Sequence, residues 1–547
     1  MTQNTSHRNW FALHRSWRAA RSGQRASFIS LLLTLLTVLH AAVATAQSNV
    51  FNPEDYVVIR DFGDVRGLAA TNAGLFVVTP GAIAAYDTRS RRWLPPVTSV
   101  DGLPDGEVIM AIGDPADESI WVGLTSGLVH YLPILREVQL IQTQGAPVRM
   151  VFDRDDPFRG LYVATRAGWF FVGRGMGTAV PAPTIPPPER QIRPLSVEEA
   201  FARVPGADAT RSLALLDEQL RTYRFTAAAW DPMRRVYYFG TNGTGVFEYD
   251  PGMGEFEPLP FGLLSDRVGA VIWHNGAVWT GTGGRDGRRG FTRVESNLQD
   301  FRLDQGPGAA TYRFSTVRDL HIWEGGVWAA TDIGVIRVDE PDHAVSTDLP
   351  SPSTYALTDS PAGLWVGTGS GLAMLRHFER AGVVVEEVQL TSAPVLALEA
   401  EGHDIWIGTS QGLRFLSGTD DAVSDPPPIR GLPIATESIT ALELHDSRLF
   451  VATPNRIMWR EPDGTWMEGP PLSATVGAIT AIVAASGGSV LWIAGSRGLA
   501  AFDHATNGLR TVLSERDLPG SIVGVEVGGG FVWLATSGGL VRLRVGL

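Results

Sequence analysis

The chain has 547 residues, 61 glycines, 35 prolines, no cysteine and a formal charge of −13, and its 45 basic residues are all arginine. This excludes disulfides, thiolate chemistry and Schiff-base chemistry at a lysine, and the acidic balance argues against a general nucleic-acid or anionic-membrane binder. A length beyond one ordinary core, punctuated throughout by glycine and proline, points to several domains or to a repeat of short strands.

Residues 1–46 carry Arg8, Arg15, Arg18, Arg21 and Arg25 with no acid, then an apolar run from Phe28 to Val43, then Ala44-Thr45-Ala46. That order reads as a secretory signal peptide cleaved after Ala46, which predicts a periplasmic or secreted protein with no membrane span once cleaved. An uncleaved anchor is the alternative, although the run is shorter than the ~20 residues of a spanning helix. Losing those five arginines takes the charge from −13 to −18.

From residue 47 onward one pattern recurs. Ile405-Trp406-Ile407-Gly408-Thr409-Ser410-Gln411-Gly412-Leu413 reappears with small changes at Ile120 to Leu128, Leu364 to Leu372, Leu491 to Leu499 and Val532 to Leu540. Large apolar and small residues alternate, a turn with glycine follows, and apolar residues resume, so each copy reads as a β-hairpin. The small residue two places after the aromatic lets neighbouring sheets approach. Aligning the aromatic finds Phe76, Trp121, Tyr162, Tyr238, Trp279, Trp328, Trp365, Trp406, Phe450, Trp492 and Trp533, spaced 37 to 49 residues apart except for one gap of 76. That period matches the blades of a β-propeller. Before most hairpins lies a nearly continuous apolar run, such as Val395-Leu396-Ala397-Leu398 or Ile479-Thr480-Ala481-Ile482, suited to an inner strand buried on both faces.

The repeated tryptophan hairpin after an apolar strand, with links such as Arg430-Gly431-Leu432-Pro433, resembles the two-component regulator propeller repeat over nearly all of residues 50–547. The resemblance implies a β-propeller of the kind that forms periplasmic sensor regions of hybrid histidine kinases, often as two rings. This chain departs from that pattern in showing no kinase region before its end at Leu547.

The expected fold is therefore all-β: a β-propeller of about eleven four-stranded blades in two rings. The last blade stops after Leu540 to Val545 without an outer strand, whereas Tyr56 to Arg60 precedes the first blade with none of its own. Pairing the two would close a ring and remove an exposed edge, leaving the other ring as an insertion; a plain tandem is the alternative. Residues 47–172 hold the first blades and 225–547 the rest. Between them, 173–224 form a proline-rich and helical insertion, with a capping box of Ser196 and Glu199 before a helix over 197–204. Leu213, Leu216 and Leu220 fall on one side of a second short helix. The insertion either links the rings or offers a partner surface, or it covers a blade edge.

Candidate chemistry is sparse. The tryptophans read as core. The mature chain's eight histidines show no H-x-x-x-H or H-E-x-x-H spacing, so no metal site is assigned. Acid turns at Asp114, Asp117, Glu118 and at Asp153, Asp155, Asp156 lack the rest of an EF-hand and read as solvated tips. Arginine recurs at the second place of inner strands, as Arg66, Arg149 and Arg318, and these face a polar or anionic ligand at a channel mouth or make inter-blade bonds. Arg285 and Arg288, in a loop with Asp286 and Arg289, are a second candidate ligand-binding element. No catalytic residue and no cofactor is assigned.

Three function classes follow: a non-enzymatic envelope binding or sensory module that recognises a ligand or an envelope protein; an assembly component similar to the propeller protein of type IX secretion; and a propeller lyase similar to those that open streptogramin antibiotics. The first is favoured because the chain is nearly all repeat.

Overall fold

The computed structural model describes residue 52 and residues 55–544, apart from 53–54, 183, 205–213, 218–219, 285–287, 307–311, 341–343, 379–381, 420–421, 427–428 and 486. Residues 1–51, and with them the expected signal peptide, lie outside the described residues, as do Arg285 and Asp286.

Eleven antiparallel sheets succeed one another among the described residues. Each of the eleven aromatics of the repeat lies in the second strand of its own sheet, and all except the partly exposed Trp279 are buried. The repeat works because its polar residues close its turn. The Thr409 hydroxyl donates to the Gly412 carbonyl at 2.7 Å and accepts the Gln411 N–H at 3.1 Å, and Thr331, Thr368 and Thr536 make the same bond to Gly334, Gly371 and Gly539. Gly412 sits at φ 110°, where a Cβ would stand 2.2 Å from the Ala435 carbonyl. At Gly408, two places after the tryptophan, a Cβ would stand 2.7 Å from Ile439 at the next sheet, so the small residue sets the distance between sheets.

The innermost strands are, in chain order, Gly67–Thr71, Val108–Gly113, Arg149–Asp153, Thr222–Asp231, Val268–His274, Val317–Trp323, Thr354–Ser360, Val395–Glu401, Ala441–His445, Ile479–Ala484 and Ile522–Gly528. The fifth to eleventh stand side by side in that order, and the eleventh returns to lie beside the fifth. The first four form a separate succession. The first neighbours the second and the fourth, the second packs on the third through Ile112, Trp121, Met150 and Phe152, and a segment of the insertion lies between third and fourth. The chain passes from one group to the other at 259–268, and the long insertion belongs inside the smaller group.

Tyr56–Ile59 pairs antiparallel with Gly539–Arg544 of the eleventh sheet, Tyr56 opposite Leu543 and Ile59 opposite Leu540. The four-stranded eleventh sheet therefore takes its outer strand from the opposite end of the sequence. One core connects the groups at this point, with Val57, Ile59 and Trp533 joined to Leu75, Tyr238, Phe261 and Val278. Phe261 stacks on Trp93 at 4.3 Å, and Gln299 both donates to and accepts from the Trp93 backbone at 3.0 Å.

Four sheets depart from the expected four strands. The sixth and eighth have three, with isolated bridges Val335 to Val345 and Phe415 to Ser424 in place of an outer strand. Pro350 follows the first bridge and Pro426 the second, and proline cannot donate to a ladder. The third and fourth have five, their extra strands supplied by the insertion. In that insertion Ser196 and Glu199 do form a capping box, before Val197–Phe201. The expected second helix is not there: Ala214–Leu216 is a strand paired with Tyr223 and its neighbours, Leu220 sits in the intervening turn at φ 61°, and Leu213 lies outside the described residues. For Leu216 and Leu220, helical spacing did not outweigh the pairing offered by an open sheet edge.

Candidate functional site

Two cavities lie at the inner strands. The first, of about 510 Å³, is lined by the inner strands of the first, second and fourth sheets and closed by residues of the insertion. Its wall is built from the chain. Gln191 and Ile192 pair with Asp153 and Phe152, so a short strand is added to the inner edge of the third sheet. Gln191 donates to the Pro186 carbonyl at 2.7 Å and accepts from Arg149 Nη2 at 2.8 Å. The helix then packs Val197, Ala200 and Val204 against Ala228, Tyr237 and Phe239 of the fourth sheet. The Glu199 N–H donates to Ser196 Oγ at 3.2 Å, and the Glu199 carboxylate receives Arg193 Nη1 at 2.9 Å, which holds its pKa below the usual carboxylate range.

Arg154, Arg193 and Arg203 line this cavity with the single acid Glu199 and with Trp230. Arg193 is committed to Glu199. Among the described residues no carboxylate lies within ion-pair distance of Arg154 or Arg203, and both are exposed. A positive rim on an acidic chain concentrates anions there, and guanidinium groups bind carboxylate, phosphate or sulfate through paired N–H donors.

The second cavity, of about 310 Å³, is lined by all seven inner strands of the larger group. At the N-terminal end of six of these strands the register slips by one residue, at Gly269, Arg318, Tyr355, Leu396, Thr480 and Val523, and each bulged residue lines the cavity. Asp319, Glu443 and Glu526 line it too. Each accepts a backbone N–H from the next inner strand: Asp319 from Leu357 at 2.7 Å, Glu443 from Ala484 at 2.9 Å and Glu526 from Trp273. Glu399 does the same with Leu444. An inner strand has no partner on its inward edge, and these carboxyl groups satisfy donors that would otherwise be buried alone. Burial is the main reason their pKa values rise, to about 6 for Asp319, about 7 for Glu443 and about 8 for Glu399 and Glu526, with mutual repulsion adding to the last two. These residues also correct the expectation of inner strands buried on both faces. The strands carry half-buried residues among the buried ones because they line a cavity.

The expected arginines are not brought together. Arg66 is half-exposed and paired with Asp64 at 2.8 Å. Arg149 holds Gln191 and so supports the smaller group's cavity without lining it. Arg318 lines the larger group's cavity, donates to the Thr354 carbonyl at 3.0 Å and lies 4.3 Å above the Tyr355 ring. Arg288 is mostly buried and paired with Asp61 at 2.7 Å where the chain enters the smaller group. The acid turns are solvated only in part: Asp117, Asp155 and Asp156 are exposed, but Asp114 and Asp153 are buried. Arg174 bridges Asp114 and Asp117, and Arg190 pairs with Asp153 and with Asp155 at 2.8 Å. Arginine occupies both places that a calcium ion would need, while Glu118 projects from its turn at φ 64°.

Sequence reading missed Arg154 and Arg203, and nothing local distinguishes them from other surface arginines. The cavity acids did leave a signal. Glu399, Glu443 and Glu526 sit opposite Trp406, Phe450 and Trp533, so an acid recurs at one register position inside an apolar strand.

No protein-family model matches the chain, and no curated protein matches it. Among solved structures it is similar to a protein described as the extracellular domain of a hybrid two component system from B. thetaiotaomicron, at 14% identity and TM-score 0.44, covering 88% of this chain and 70% of that one. It is also similar to PorZ, a surface component of the type-IX secretion system of Porphyromonas gingivalis, at 10% identity and TM-score 0.38, covering 90% and 87%. Virginiamycin B lyase from Staphylococcus aureus matches at 16% identity and TM-score 0.38, covering 51% of this chain and 95% of the lyase. These likenesses are low, and the sheet-by-sheet geometry carries the description of the fold. Among the described residues no helix is long and apolar enough to cross a membrane.

Proposed function

We propose that the chain is a non-enzymatic binding module of the cell envelope, periplasmic or secreted after loss of residues 1–46, with its eleven sheets in two propeller rings. The smaller ring, of four sheets, is inserted into the larger ring of seven, which Tyr56–Ile59 closes. The ligand is a polar or anionic small molecule held at the smaller ring. One observation carries this reading: exposed Arg154 and Arg203, with no acid paired to them among the described residues, rim a cavity of about 510 Å³ walled by the chain's own insertion. That volume suits a small-molecule site. The groups in the larger ring's cavity already have partners, Asp319 and Glu443 in backbone N–H groups and Arg318 in a carbonyl.

The test is calorimetric titration of the mature protein with citrate, inorganic phosphate and a uronic-acid oligosaccharide. Binding of one of these, weakened at least tenfold in Arg154→Ala and in Arg203→Ala but retained in Arg66→Ala, supports the site. Binding that both variants leave intact overturns it.

The second reading, an envelope assembly component, has one feature in its favour. The hairpin tip after Gly127–Leu132 exposes adjacent Ile134 and Leu135, at 82% and 69%. Loss of a co-purifying envelope protein in an Ile134→Ser, Leu135→Ser variant supports that reading over the first.

A further inference from the structure

His445, Asp446 and His504 each offer one ligand atom within 4.8 Å of the others, and they come from two neighbouring sheets of the larger group. His445 ends the ninth inner strand, and Asp446 follows in the tight turn at φ 49°. His504 follows Gly498–Asp503, the third strand of the tenth sheet, and its backbone N–H donates to the Ser489 carbonyl at 3.0 Å. Its ring lies 5.4 Å from Phe450 and 6.3 Å from the His445 ring, edge to face, which limits its freedom to turn away.

The nitrogen Nε2 of His504 is shielded from solvent and has no hydrogen-bond partner. A shielded polar nitrogen left unmatched is costly, and this one belongs to a cluster whose other atoms are also ligand types. Arg448 does not fill the cluster, because its Nε is paired with Glu461 at 2.8 Å. His445 Nε2 lies 3.5 Å from Asp446 Oδ2 and bonds the Gly488 carbonyl at 2.8 Å.

We propose that His445, Asp446 and His504 bind a divalent transition ion of the zinc type, strapping the ninth sheet to the tenth. Two imidazoles and one carboxylate suit zinc, nickel or copper rather than calcium or magnesium, and a fourth position remains for water. The ion gives His504 Nε2 the partner it lacks. His445 then carries its proton on Nδ1, and its Nε2 exchanges the Gly488 carbonyl for the ion. Asp114, Asp117 and His130 provide an internal contrast. They too bring ligand atoms within 4.8 Å, but the Arg174 guanidinium already lies across both carboxylates.

The experiment is titration of untagged, metal-stripped full-length protein with Zn²⁺ by calorimetry and with Co²⁺ by visible absorption, at pH 7.5 as a stated condition near neutrality. The expected result is one equivalent per chain, tetrahedral cobalt bands, and a rise in melting temperature with zinc. His504→Gln and His445→Gln each weaken binding at least tenfold, exposed Asp446→Asn weakens it less, and His130→Gln leaves it unchanged. The proposal is overturned by the absence of saturable binding, by binding that His504→Gln or Asp446→Asn leaves unchanged, or by binding that His130→Gln abolishes.

Discussion

The two groups of sheets solve the same closure problem with differently borrowed segments, and the cavities that result are lined by different polar groups, buried carboxyls in one and exposed arginines in the other. Seven sheets meet around their cavity with inner strand beside inner strand, and the group is completed from outside, by the terminal strand Tyr56–Ile59. Four sheets leave a gap between the third and fourth, which residues around Gln191 and the helix Val197–Phe201 occupy from inside. Adjacent inner strands of the larger group must satisfy one another's edge donors, and acids do so. In the smaller group a piece of backbone does this at the third sheet, and its arginines are left to face solvent. Closure, as much as ligand recognition, therefore decides which polar groups line each cavity.

The largest test of this difference removes residues 53–60. Val57, Val58 and Ile59 are 2, 3 and 0% exposed. Burying each contributes roughly 1.5–3 kcal/mol, so the loss is about 5 kcal/mol or more before the lost ladder is considered. Hydrogen exchange should rise across Phe531–Thr536 and Gly539–Arg544, with the second and third sheets protected as before. Equal loosening of both groups would mean that they are one cooperative unit and that the comparison has no energetic content.

A change within the core comes next. Trp533 is fully buried in the eleventh sheet and donates from Nε1 to the Gly528 carbonyl at 3.1 Å. Trp533→Ala should cost about 3–5 kcal/mol in chemical denaturation and should affect ligand binding only through folding. Phe76→Ala, at the same register of the first sheet, should cost a similar amount, because the hairpin is common to both groups even though their closures differ.

That common hairpin is what the sequence states most plainly. Trp406, Gly408, Thr409 and Gly412 are each required by a local contact, so their spacing repeats wherever the contact repeats. The pairing of Tyr56–Ile59 with the last strand was also legible, because one sheet lacked a strand and one strand lacked a sheet. The site residues were less so. Arg154 and Arg203 meet only because 186–204 folds into the gap beside the third sheet, and no local period encodes a segment that occurs once. Of the recurrent arginines only Arg318 occupies a bulge at the start of an inner strand, whereas Arg149 is paired opposite Ala164 and Arg66 precedes its strand. Chain neighbours decide what such an arginine does, and Arg318 meets a carbonyl where Arg149 meets Gln191.

The acid-lined cavity makes stability depend on pH. Glu526 is raised to about 8 by burial, then by Glu443. Between its unfolded value near 4.5 and about 8 the folded chain keeps a proton that the unfolded chain has lost. Its stabilising contribution is thus fully present below the unfolded value and is lost as pH rises through that window, at up to about 1.4 kcal/mol per unit. Urea denaturation at several pH values should show Glu526→Gln losing less stability than the parent on going from acid to mildly alkaline conditions. An identical slope in both would place the carboxyl in water and not against Trp273.

In the smaller group the comparable support is neutral. Gln191→Ala removes the acceptor of Arg149 and the donor to Pro186 and leaves a buried carbonyl unmatched, a cost of about 1–3 kcal/mol. No pH dependence should accompany the loss, and a ligand held by Arg154 should bind less tightly because the wall behind it is no longer fixed.

The smallest effect on stability separates a surface arginine from one proposed to act in binding. Arg66 and Arg154 both belong to the smaller group and both are exposed, but Arg66 is held by Asp64 in a pair whose side chains are 41 and 37% exposed. Exposed pairs contribute about 0–1 kcal/mol, so Arg66→Ala should shift the midpoint of unfolding little and leave ligand affinity alone. Arg154 has no acid to lose among the described residues, so Arg154→Ala should change stability by less than about 0.5 kcal/mol. Affinity for an anionic ligand should nevertheless fall at least tenfold in that variant, because a guanidinium facing a carboxylate or phosphate supplies charge-assisted donors that alanine lacks. Measuring melting and titration on both variants distinguishes charge as such from charge placed at the cavity rim. Equal weakening by Arg66→Ala and Arg154→Ala would show that the ligand senses only the field of the surface.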